Sequence, residues 1–156
     1  MRVIGLDFGS TTGFGIIENG ELSRYGALDF SDKKQNRNYK LYSWLMNHIE
    51  NGEIVAVAHE RVDFLKGKNW RQIYYGFAAV CEVVAGEAGI RYESVPVGTL
   101  KKYATGKGNS HKNKMVSTVN EKHSLALLKK QHDVADAIWV ADWCWNEIKE
   151  GKSESV

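Results

Sequence analysis

The pair Asn19-Gly20 lies between two runs of strand-like composition, GFGIIE and ELSRYGALDF. Asn-Gly tolerates the positive φ angles of a two-residue hairpin turn, so the flanking runs pair antiparallel. Ahead of them RVIGLDF is an apolar run with β-branched content and reads as a buried strand, with Gly9 to Thr12 as the turn that follows. Three consecutive antiparallel strands result. Such a meander needs helices packed on it to cover its apolar face.

The rest of the chain supplies them in alternation with further strands. Leu41, Trp44, Leu45, His48 and Ile49 recur at helical spacing, which predicts a helix over about 38–51. IVAVA is a short apolar run, expected as a fourth strand buried on both faces. A basic loop follows over about 61–69, then a helix over about 70–86 with Ile73, Phe77, Val80, Cys81 and Val84 on one face. RYESV predicts a fifth strand ended by Pro96. Short helices are expected near 97–103 and 111–123, with a last one opening at His132 or Asp133. Strand–helix–strand order implies parallel pairing through right-handed crossovers. The expected fold is therefore α/β: a five-stranded mixed sheet, three antiparallel strands then two parallel, flanked by helices. With the first strand between the second and fourth, Asp7 and Glu60 stand at neighbouring strand ends, where open α/β sheets build their sites.

A chain of 156 residues is expected to form one domain over 1–150, with 151–156 as a flexible tail. No apolar run reaches the roughly 18 residues of a membrane span, and no signal-peptide pattern opens the chain. Cys81 and Cys144 lack metal spacing and read as reduced core thiols, which makes a cytoplasmic location the default.

Against this frame four acids are misplaced. Asp7 ends RVIGLD, Glu60 ends IVAVAHE, and Asp133 and Asp136 sit in HDVADAIWVA. Asp133 and Asp136 are i, i+3 and share one helix face, expected in the first turn, where the helix dipole favours negative charge. Either alone could be a helix cap. As a set with two carboxylates on adjacent strands they repel one another unless a cation is shared, and oxygen ligands suit Mg²⁺, with Mn²⁺ as a substitute. Two ions bridged by Asp7 would support phosphodiester hydrolysis.

The charge distribution points to a polyanion. Net charge is only +2, but between residues 97 and 131 stand eight lysines and one acid, Glu121. Arg61, Lys66, Lys68 and Arg71 cluster again around a single Asp63. These, with Lys102, Lys107 and Lys114, are the candidate contacts to a polyanion such as a nucleic acid. Ser10 and Thr11 are candidates for phosphate or ligand contact, or simply make the turn. Phe64, within the basic loop, either stacks on a base or anchors the loop in the core. His132, beside Asp133, is a solvated histidine or helps activate water. His59, next to Glu60, points to the opposite sheet face.

Taken together, DFGSTTGFGII, AVAHERVDFLKGKN, VGTLKKYATGKGNSHKNKMV and HDVADAIWVA resemble the successive motifs of the RuvC family of Holliday-junction resolvases. Phe8 stands where members of that family usually carry proline, and Phe64 sits one place later than the family's junction-probing aromatic. The resemblance implies an RNase H-like fold, a homodimer, and Mg²⁺-dependent nicking of branched DNA at four-way junctions, leaving 5′-phosphate and 3′-hydroxyl ends. It assigns Asp7, Glu60, Asp133 and Asp136 as metal ligands, with Lys101 and Lys112 near the scissile phosphate. LDFGSTTG is also compatible with an actin-like or sugar-kinase-like ATP-binding domain, and a related RNase H-like nuclease acting on RNA or other branched DNA is a further alternative.

Overall fold

The computed structural model describes residues 1–31 and 36–151. The five strands are β1 (Arg2–Asp7), β2 (Thr11–Glu18), β3 (Glu21–Asp29), β4 (Ile54–Arg61) and β5 (Arg91–Pro96). The α-helices are α1 (Arg37–Glu50), α2 (Lys68–Ala88), α3 (Val97–Thr105), α4 (Lys112–His123) and α5 (His132–Lys149), the last preceded by a 3₁₀ turn at Lys129–Gln131. Sheet order is β3-β2-β1-β4-β5, antiparallel through β1 and parallel from β1 to β5. This is the expected mixed sheet, and the hairpin turns at Asn19 and Gly20, both with positive φ.

Several boundaries differ from the sequence reading. Only Gly9 and Ser10 make the first turn, because Thr11 and Thr12 already pair with Asp29 and Leu28 in β2–β3. The Thr12 hydroxyl closes that turn by donating to the Gly9 carbonyl (2.9 Å) and accepting from its N–H (3.2 Å). β4 runs on through Arg61, and α2 opens at Lys68, so the basic loop is shorter than 61–69. Of the expected tail, 152–156 lie outside the described residues.

Alternation along β1 sorts two cores. Ile4, Leu6 and Phe8 face α1 and α2, where Phe77, Leu41 and Leu45 are buried. Val3 lies on the opposite face with Ala56, Ala58 and the helices α3, α4 and α5. On that second face the central strands are lined by glycine, and α5 comes down to backbone contact. A Cβ on Gly5 would stand 2.3 Å from the Ala141 amide nitrogen, and one on Gly13 would stand 2.0 Å from the Asp133 carbonyl oxygen. Gly13 is the cross-strand partner of Asp7. The glycines therefore set where the start of α5 lies: directly beside the end of β1.

Candidate active site

Asp7 and Glu60 share the α5 face of the sheet, by the two-residue alternation that also places Val3, Ala56 and Ala58 there. β1 and β4 are parallel with Leu6 opposite His59, so the next residues, Asp7 and Glu60, end adjacent strands side by side. Above them α5 brings Asp133 and Asp136. Only Asp133 is in the helix's first turn; Asp136 lies one turn further in. Neither is a cap: the N-cap position is Gln131, and no side chain caps the helix.

The four carboxylates feel one another. Asp7 is raised well above the ordinary carboxylate range, first by burial and then by the charges of Glu60, Asp136 and Asp133. Asp136 is pushed up to about 7, again by burial first, then by Glu60 and Asp133. Glu60 is raised by burial and Asp133, against the opposing pull of Lys101 and Lys112. Lys112 opposes the shift at Asp7 and Asp136 as well, and Lys101 at Asp136. The acids assembled from four places in the sequence thus form one electrostatic unit, with two lysines facing it from α3 and α4.

Divalent cations fit this set. All donors are carboxylate oxygens, the ligands of hard cations. Asp136 Oδ1 is buried without a hydrogen-bond partner, a costly state for an anion unless a cation takes it up. The carboxylates stand spread: among the described residues no three acid, imidazole or thiol side chains are gathered closely enough to hold a metal ion as they stand. Mutual repulsion favours that spread.

Supporting groups sit on the other face of the sheet. His59 is buried, stacked on Phe8 (4.7 Å between ring centres), with Nε2 2.8 Å from the Tyr92 hydroxyl and Nδ1 2.9 Å from the Glu60 carbonyl. Burial lowers its pKa. The Tyr74 hydroxyl also donates to the Glu60 carbonyl (3.4 Å) and accepts from the Val62 N–H (3.1 Å). His59 thus lies on the face away from the acids and, with Tyr74, holds the backbone of Glu60. Phe8 fills this core.

The remaining candidates spread around the acids. Ser10 and Thr11 are exposed on the rim of a cleft of about 660 Å³ that Asp133 and Trp70 also line. Lys66, Lys68, Arg71, Lys102, Lys107, Lys112 and Lys114 are exposed, and Lys101 is half-buried. Arg61 is exposed, with its Nε 3.2 Å from Asp63 Oδ1. Phe64 is 92% exposed, which rules out the core-anchor reading. His132 Nδ1 lies 2.7 Å from Asp133 Oδ1 and orients that carboxylate. Lys122, one of the eight lysines of the basic stretch, instead turns inward to Asp142 (2.5 Å). Asp142 is not among the acids singled out by the sequence, although it carries the same signal, a carboxylate inside an apolar run.

An acidic centre at the parallel strand ends of this sheet, under a helix bearing Asp133 and Asp136, defines an RNase H-like fold. Solved structures agree. The chain is similar to RuvC from Thermus thermophilus, with a TM-score of 0.80 at 19% identity, covering 97% of this chain and 98% of that one. It is equally similar to the same organism's RuvC in complex with a Holliday junction substrate, with a TM-score of 0.81. The yeast mitochondrial Holliday junction resolvase Ydc2 matches with a TM-score of 0.63, at 11% identity over 96% of this chain and 81% of that one. No family model matches the sequence. Curated relatives do: the crossover junction endodeoxyribonucleases RuvC of Caldicellulosiruptor saccharolyticus, at 32% identity, and of Caldanaerobacter subterraneus, at 31%, each over 90% of both chains. The chain belongs to the RuvC family of crossover junction endodeoxyribonucleases.

Proposed function

We propose that this protein is a structure-selective DNA endonuclease that resolves four-way junctions by hydrolysing phosphodiester bonds. The observation that carries the reading is the convergence of Asp7, Glu60, Asp133 and Asp136 on one face, where burial and neighbouring carboxylates raise Asp7, Glu60 and Asp136, beside Lys101 and Lys112. The four acids would hold two Mg²⁺ ions through their carboxylate oxygens. Bound ions of this kind activate a water nucleophile and stabilise the leaving oxygen. Lys101 and Lys112 would bind the scissile phosphate, and His132 would keep Asp133 oriented for its ligand. The exposed Lys66, Lys68, Arg71, Lys102, Lys107 and Lys114 would follow the DNA backbone on either side.

Resolution of a two-fold symmetric junction needs two nicks, and one chain carries one such centre. A homodimer, each copy contributing a domain of residues 1–150, would supply both. The ATP-binding alternative is set aside by family membership. The test is Asp7→Asn on a labelled four-way junction with Mg²⁺ and with EDTA. The variant is expected to bind the junction and not to cut it, leaving paired nicks only with the parent protein and Mg²⁺. Equal cutting by the variant would overturn the assignment.

A further inference from the structure

Lys112 faces the acids from α4, yet α4 packs chiefly on α5 and α3 and not on the sheet that carries Asp7 and Glu60. Its placement therefore depends on how α3 and α4 are joined to α5. The joint is polar. Asp142, on α5 and only 3% exposed, takes the Lys122 ammonium of α4 at 2.5 Å and the Tyr103 hydroxyl of α3 at 2.8 Å, both on Oδ2. Asn146, one turn along α5, donates to the same Tyr103 hydroxyl. His123 Nε2 lies 3.9 Å from the other carboxylate oxygen. The Lys122 ammonium sits over the rings of Trp139 (5.3 Å) and Tyr103 (5.9 Å), and Trp139 Nε1 donates to the Met115 carbonyl of α4 (3.1 Å). One carboxylate thus ties three helices, at a distance along α5 from the acids of the site.

Apolar contacts alone tolerate sliding of one helix on another, whereas hydrogen bonds to an ionised acceptor are directional. The pair is half-buried, with Asp142 inside and the Lys122 side chain 43% exposed, and such a pair adds little net stability. We infer that Asp142 is a positioning residue for strand cleavage: through Lys122 and Tyr103 it holds α3 and α4 so that Lys101 and Lys112 face the four acids. The inference rests on the nuclease reading above and adds to it a residue outside the acidic centre.

The test is a double-mutant cycle on single-turnover nicking of a four-way junction at saturating protein, run below the unfolding temperature of every variant. Asp142→Asn is expected to leave junction affinity within about two-fold and to slow nicking roughly ten- to a hundred-fold, as misplacement of distant groups does. In a Lys112→Ala background the same change should cost less than about two-fold more, because non-additivity marks residues acting through one another. Should Asp142→Asn not fold, Lys122→Met takes its place in the cycle, with Lys122→Arg expected to restore the rate. An equal slowing with and without Lys112 overturns the inference and leaves the clamp a purely structural one. Parent-level nicking by Asp142→Asn removes the inference alone, whereas a parent protein that does not nick removes the nuclease reading and this inference with it.

Discussion

Asp136 shows most directly what the site does to a single residue. Its carboxyl titrates at about 7 because burial and the charges of Glu60 and Asp133 disfavour the anion. The folded state thus holds its proton more tightly than the unfolded chain. Stability from this group is fully present below the unfolded carboxylate value and is lost as pH rises through about 7. In EDTA the melting temperature is expected to fall between pH 5 and pH 8, and Mg²⁺ should restore it at the upper end. Asp136→Asn should melt higher than the parent in EDTA at pH 8, by ~2–4 °C for a solvent-screened gain on the order of 1 kcal/mol, and should respond less to Mg²⁺. A parent protein whose melting is flat with both pH and Mg²⁺ would contradict the shared-cation site. Phe64 is the opposite case, an apolar ring held out in solvent. Phe64→Ala should leave melting unchanged and cost ~1–3 kcal/mol in binding an opened junction, read by titration. An unchanged affinity would mean that the ring meets no base.

At the level of elements, the deciding contact is α5 against the glycine-lined strands. The sequence shows GFG as part of a strand and HDVAD as a helix start, and both readings hold. What it does not show is that the bare backbone of Gly13 receives the backbone of Asp133. Gly13→Ala is therefore expected to be disruptive out of proportion to one methyl. The clash is with main chain, so α5 must shift, at a cost of about 1–3 kcal/mol or more by urea unfolding. Because the shift moves Asp133 away from Asp7, the variant should also need more Mg²⁺ for nicking. Stability and metal requirement both at parent level would show that α5 is placed by other contacts. The helix also sets Asp136 beyond the first turn. From spacing alone the two aspartates share a face, but the first turn is set by the 3₁₀ segment that delivers the chain to His132.

For the whole molecule, charge distribution matters more than net charge. Exposed Lys102, Lys107 and Lys114 stand in or beside the α3–α4 connection, and exposed Arg61, Lys66, Lys68 and Arg71 in or beside the β4–α2 connection. Junction binding should accordingly weaken with salt, log affinity falling against log salt with a slope of about −0.9 per phosphate neutralised. A flat response measured by mobility shift would refute the basic surroundings as the DNA track. Lys122 should contribute nothing to that slope, because its charge is turned to Asp142. Among the described residues no helix is long and apolar enough to cross a membrane.

The order of strands, the hairpin, the helix periodicities and the four out-of-place acids are all local in the chain, and local signals survive in a one-dimensional record. Asp7, Glu60, Asp133 and Asp136 were legible because a carboxylate ending an apolar run is costly unless it has a purpose. Asp142 bears the same signal, but its role is not legible in the sequence, because its partners Lys122 and Tyr103 are distant along the chain and look like surface lysine and core aromatic. His59 and Tyr74 behind Glu60, the glycine seat of α5, and the inward turn of one lysine among eight are likewise relations between distant residues. They depend on which helix packs on which strand face, and packing is decided by contacts that form only when the whole chain has closed.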